Sequence, residues 1–331
     1  MKGFQKILDK KVCFFLQLFI FQIGTDLYSQ SGQNLNFSIE FIKSISKQSD
    51  VFEKNILDAI SDFVFGSGEL TLVKPVNMFA YDSNKVWILD QGFKGIIEIN
   101  KNEKNFDQLD IEKTFPSIVG LCQINENELL FTDSYYNDVF HYNLKEEKLS
   151  IFCDYKINKP TGIAFNNSKN EIWIVQTGKH NILIINKKGK ILKTIGSRGK
   201  EKGEFNFPTS IWIDKKGKAY VVDAMNFRIQ IFDSYGEYIS MFGEQGDASG
   251  FFARPKGIAT DSYGNIYVVD GLFHNVQIFD KDGNFLNYFG SQGKSEKEFW
   301  LPQGIFIDQN DRIYIADSYN SRIQIFQLRA K

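Results

Sequence analysis

Between Pro255 and Gly290 the chain alternates four short apolar runs with turn signals. The runs cover 257–260, 266–269, 276–279 and 285–289. A DSYG turn at 261–264, a polar loop opened by Asp270 and an Asp282-Gly283 pair separate them. An Asp-Gly pair between alternating runs is a strong local hairpin signal. The stretch therefore predicts a four-stranded antiparallel meander, which cannot cover both of its own faces.

The same order of runs recurs along the chain. All six prolines, Pro75, Pro116, Pro160, Pro208, Pro255 and Pro302, open a copy, 41 to 48 residues apart. The second run of each copy closes on Asp90, Asp133, Gln176, Asp223, Asp270 or Asp317. Three copies are nearly identical through their middle runs: AYVVDAMNFRIQIFD (219–233), IYVVDGLFHNVQIFD (266–280) and IYIADSYNSRIQIFQ (313–327). Four strands at a period of about 40–50 residues predict an all-β fold, a six-bladed β-propeller of four-stranded antiparallel blades. β-branched alternation and Gly-rich turns exclude a helical repeat.

The sixth copy stops after its third run, at Phe326. An open ring would leave strand edges bare, so an N-terminal strand should complete the last blade. Residues 62–66, DFVFG, match the ends of the fourth runs at 193–196, 240–243 and 287–290, and are expected to close the ring.

The pattern P-x-G-I-A-x-D-x-x-G-x-I-Y-V-x-D-x-x-N-x-R-I-Q-I-F-D resembles the NHL repeat. Residues 208–243, 255–290 and 302–326 fit it well, 160–196 fairly, and the first two copies loosely. The resemblance covers roughly residues 62–327. It implies a six-bladed propeller and no single activity.

The N-terminus departs from this pattern. Lys2, Lys6, Lys10 and Lys11 precede the apolar run 12–23, which reads as a secretory signal. The run is short for a membrane span, which needs about 20 residues; an uncleaved anchor is the other reading. Residues 1–30 are thus assigned as signal or anchor, 31–61 as an N-terminal extension and 62–331 as the propeller. Within the extension, 35–46 alternate weakly as a strand would, and Asp50 and Glu53 suit the start of a short helix.

Without residues 1–30 the chain holds 35 basic and 38 acidic residues. That balance argues against nucleic acid, which needs a basic footprint. The expectation is an exported monomer, in periplasm, at the cell surface or secreted, which meets a membrane only through an uncleaved anchor. Cys122 and Cys153 fall in the first and fourth strands of blade 2. Three strand spacings of about 4.8 Å separate these strands by more than a disulfide can span, so both thiols should be free and buried.

Chemistry is sparse. The repeated aspartates look catalytic one at a time, but recurrence in almost every blade points to carboxylates that accept backbone N–H groups of the neighbouring loops. His180 and His274 occupy matched positions between the second and third strands, and His141 lies in a third strand. They read as solvated surface groups. Peptide-amidating lyases of similar fold use a central trio of His around a metal, and the three histidines here do not form such a set. No zinc set of that kind and no cofactor are expected, while an oxygen-only calcium site stays open.

The loops entering blades 4, 5 and 6 each carry Phe three residues before the proline: Phe205, Phe252 and Phe299. Their repetition marks packing anchors. Phe207, Phe251 and Trp300 are unmatched and become candidates for partner contact, with Arg198 and Arg254 beside them. Arg228 and Arg322 follow two of the repeated aspartates; they either stiffen the loop through an Arg–Asp pair or face an anion on the open side. Lys256 is the charged member of the channel positions just after the prolines. These features favour a non-enzymatic binding module that recognises a protein, peptide or glycan on the loop-rich face. An exported metal-dependent lyase, lactonase or hydrolase is the alternative, resting on fold analogy, with carboxylates such as Glu40 or Asp107 as its candidates.

Overall fold

The computed structural model describes residues 37–52 and 68–330. The assigned signal segment lies outside the described residues. Six four-stranded antiparallel sheets form six blades. Blade 1, for example, runs through Pro75–Ala80, Lys85–Asp90, Gly95–Asn100 and Asn105–Gln108. Strand type follows from the alternation: in Ile266–Asp270 every residue is buried, because blades cover both faces of the middle strands.

The ring closes through an N-terminal strand, as the missing fourth run demanded, but the strand is Phe37–Ile45. It pairs antiparallel with Arg322–Ala330, from Phe37 opposite Ala330 to Ile45 opposite Ile323, with an irregularity between Phe41 and Lys43. The assignment to 62–66 is corrected: both neighbours of Arg322–Ala330 in the sheet are Phe37–Ile45 and Arg312–Asp317. Residues 62–66 themselves lie outside the described residues. The physical reason is length and alternation. Nine residues with Phe37, Ile39 and Phe41 on one side pack on the cluster around Phe326 and Phe299. A five-residue match to the end of a strand offers no such face. The expected helix begins as a single 3-10 turn, Gln48–Asp50; its continuation from Glu53 is outside the described residues.

The core is split into six apolar layers between neighbouring blades. Phe205, Phe252 and Phe299 are fully buried, as their repetition implied. Each lies beneath a glycine that ends the preceding fourth strand. At Gly290, φ is +92°, and a Cβ there would sit 2.3 Å from the Phe299 ring. Only glycine meets both conditions.

The repeated aspartates hold the loops, as expected. Asp270 is fully buried. Its Oδ2 accepts the N–H of Ala253 at 2.8 Å, and its Oδ1 accepts those of Leu272 at 3.0 Å and Phe273 at 3.1 Å. One carboxylate thus ties the loop before the first strand to the loop after the second. Asp90 does the same for Val73, Gly92 and Phe93. Gln176 substitutes with its amide oxygen on the Asn158 N–H. Where blade 6 meets blade 1, Ser318 Oγ donates to Pro75 O and Ser321 Oγ to Val73 O, fastening the seam next to the closing strand.

Cys122 and Cys153 are free and buried. Burial pushes both thiols up from their ordinary values.

Candidate functional site

First strands line the central channel. Because strand direction alternates, the loops entering first strands and those joining second to third strands share one face. The turns joining first to second strands lie on the other. At one level of the channel, Phe79, Cys122, Ala164, Trp212, Ala259 and Phe306 are equivalent, each opposite Trp87, Leu130, Trp173, Tyr220, Tyr267 or Tyr314 of the same blade. Three are large aromatics, and they come from blades 1, 4 and 6.

Trp212 and Phe79 both pack on Phe306. The Trp212 ring lies 5.5 Å from Phe306, edge-on, and Phe306 lies 4.9 Å from Phe79. Trp212 Nε1–H donates to Thr260 Oγ1 of blade 5 at 2.9 Å, which fixes the indole. Room for such rings exists because the neighbouring positions are Cys or Ala. Above this level the first strands approach closely: a Cβ on Gly257 would lie 2.6 Å from Gln303 O of the next blade. The ring is tight there and opens below.

The opening is a cavity of 590 Å³. Its inner end carries Asn77, Gly162 and Ser210; its wall carries the aromatic set with Phe165; its mouth carries first-to-second turn residues such as Tyr81, Asn167, Tyr263 and Gln309. Gln123 also lines it, and the buried Nε2 of Gln123 has no hydrogen-bond partner. The charged rim mixes Lys215, Lys216 and Lys281 with Asp214, Asp261 and Asp308. The three aspartates are structural: each accepts N–H groups of its own turn and a tyrosine hydroxyl, as Asp261 does from Tyr263 N, Asn265 N and Tyr267 Oη. Burial raises the Asp261 carboxyl from its ordinary value. No residue of the loops 196–208, 243–255 or 290–302 lines the cavity.

The sequence-chosen residues therefore lie at the other end of the channel. Phe207 and Trp300 are exposed there. The Phe207 ring packs on His180 at 4.4 Å, and Lys294 Nζ stands 5.3 Å above the Trp300 ring. Phe251 is half-buried against Gly246, and its carbonyl accepts from Gln277 Nε2. Arg198 and Arg254 are exposed and Lys256 is half-buried. Arg228 and Arg322 are occupied internally. Arg228 Nε donates to Asp223 Oδ2 at 2.8 Å, and its terminal nitrogens donate to the carbonyls of Lys200, Glu201 and Glu204. Arg322 binds Asp317 and the carbonyls of Ser295 and Glu298 in the same way.

The histidines are corrected. His180 is buried, and its Nδ1 accepts the Phe207 N–H at 3.0 Å; His274 does the same for Leu301. Phe207 and Leu301 have φ of +50° and +49° before their prolines, a conformation these bonds hold. Burial, then Arg198, keeps His180 below the ordinary imidazole value; burial does so for His274. His141 pairs with Glu128 at 3.2 Å. Glu40 and Asp107 lie on outer strands, away from the axis. Among the described residues no three His, Cys, Asp or Glu side chains gather as metal ligands.

Comparison with known proteins agrees with this architecture. Residues 154–242 and 252–330, just over half of the chain, match the DUF5128 family, described as 6-bladed beta-propeller. The chain belongs to that family. No curated protein matches it. Among solved structures it is similar to an auxiliary nutrient binding protein from Bacteroides thetaiotaomicron VPI-5482, with 14% identity, TM-score 0.62, and coverage of 78% of this chain and 70% of that one. It is also similar to a virginiamycin B lyase from Staphylococcus aureus, with 15% identity, TM-score 0.58, and coverage of 88% and 99%. A structural genomics protein of unknown function from the same Bacteroides strain aligns at 15% identity and TM-score 0.60, covering 78% and 70%. At these identities the likeness is one of fold.

Proposed function

We propose that the protein is an exported, non-enzymatic binding protein of NHL type that seats a small saccharide in its central cavity, at the end opposite the loop-rich face. The observation that carries this reading is the convergence of Phe79, Trp212 and Phe306 from three blades on one cavity. Its volume falls in the range of small-molecule sites, about 300–1,000 Å³. Aromatic faces cover the apolar C–H side of a sugar ring, while the unpaired Gln123 amide and the mixed rim offer hydrogen bonds to its hydroxyls. The basic and apolar N-terminal pattern supports export. The nutrient-binding proteins of similar fold are consistent with both points.

The test is calorimetric titration with a panel of neutral mono- and oligosaccharides. Trp212→Ala should weaken the best ligand by roughly tenfold or more, since loss of a buried aromatic anchor costs about 2 kcal/mol or more. The variant should keep its circular dichroism spectrum. Binding that survives Trp212→Ala unchanged, or a panel with no binder, would refute the proposal.

A further inference from the structure

The loop-rich mouth of the same channel gathers positive charge. Lys256 follows Pro255 in the first strand of blade 5 and is half-buried. Its stem lies beside blade 6: a Cβ on Gly271 would sit 3.4 Å from Lys256 Cγ and 3.3 Å from Pro302 O. Arg254 precedes it by two residues, and the Arg254 carbonyl accepts the Gly271 N–H. Lys74 enters from the far side of blade 6, immediately before Pro75. Its Nζ lies 5.9 Å from the ring centroid of Tyr319 in the blade 6 loop. The seam bonds from Ser318 and Ser321 hold that stretch of backbone against blade 6. Two lysines and an arginine thus flank blade 6 at the channel mouth.

None of the three cations takes part in an ion pair among the described residues, whereas Arg228 and Arg322 nearby are fully paired. The nearest repeated carboxylates, Asp90, Asp270 and Asp317, are buried and turned to backbone N–H groups. Burial lowers the Lys256 ammonium from its ordinary value, and Arg254 and Lys74 add to that shift in smaller measure. Such a cluster costs free energy in the empty protein and recovers it when an anion enters.

We infer that Lys74, Arg254 and Lys256 form an anion site at the loop-rich mouth, which takes the carboxylate or phosphate group of a small ligand. It is separate from the cavity beneath the aromatic set, and it does not depend on the saccharide reading.

Isothermal titration of the full propeller with inorganic phosphate and, separately, with glucuronate reads this site at low ionic strength. Binding of either should weaken roughly tenfold in Lys256→Gln and in Lys74→Gln, a loss typical of one charged contact. Lys148→Gln, exposed on the outer strand of blade 2 and outside both ends of the channel, should leave it unchanged. Preference for phosphate or for glucuronate identifies which anion the site accepts. In anion-free buffer the thermal midpoint of Lys256→Gln should equal or exceed that of the wild type, which also shows that the variant folds. Failure of both anions to bind at millimolar concentration, or binding indifferent to Lys256 and Lys74, would overturn the assignment.

Discussion

At the residue scale the molecule rests on side chains that hold backbone groups. Asp270 accepts N–H groups from both sides of a blade junction while fully buried. Asp270→Ala leaves those donors unpaired, so it should lower unfolding free energy by about 3 kcal/mol or more. Urea denaturation measures it, and a cost below that of an ordinary surface substitution would contradict the role. His180 and His274 work the other way round, as neutral acceptors. Their folded values lie below the ordinary imidazole value, so the folded state binds the proton less well than the unfolded one. Their contribution is present above the unfolded value of about 6.5 and is lost as pH falls below it. The urea midpoint should therefore drop between pH 7.5 and pH 5.5, and the drop should shrink in the His180→Gln/His274→Gln variant. Equal drops in both proteins would exclude the histidines as its source. The aspartate role was legible in the sequence because it repeats. The histidine role was not, since the Phe207 and Leu301 N–H groups reach these rings from another blade, 27 residues on.

At the element scale the decisive piece is Phe37–Ile45. It completes blade 6 along Arg322–Ala330, and its Phe41 ring lies 5.6 Å from Phe326. Without it the ring has a bare edge and an uncovered apolar face. A chain starting at residue 47 should lose the cooperative transition of the whole propeller and aggregate. An unchanged thermal midpoint would contradict the closure. The need for an N-terminal strand was readable from the truncated sixth copy. Which segment supplies it was not, because a short motif match to 62–66 competes with a longer alternating stretch, and only pairing across some 285 residues of chain decides between them.

At the scale of the whole molecule one channel has two unlike ends. The turn face opens into an aromatic cavity, and the loop-rich face gathers Lys74, Arg254 and Lys256. The two sets of residues come from opposite ends of the first strands and none of Lys74, Arg254 and Lys256 lines the cavity, so substitutions at one end should leave ligand binding at the other intact. Titrating Trp212→Ala with phosphate and Lys256→Gln with the best saccharide checks this; loss of both activities in either variant would mean one shared site.

The sequence by itself determined the number of blades, the four-stranded meander, the aspartate clasps, the buried phenylalanine anchors and the free thiols. Each of these recurs at a fixed period or depends on neighbours close along the chain, and local alternation with turn chemistry specifies it. Tertiary structure alone decided the closing strand, the acceptor histidines and the site. Phe79, Trp212 and Phe306 each stand four residues after a repeat proline, so their equivalence was readable, but they lie far apart along the chain. They become one surface only because six first strands are wrapped around a common axis, where one large ring from each of three blades fills the space that Cys122, Ala164 and Ala259 leave open.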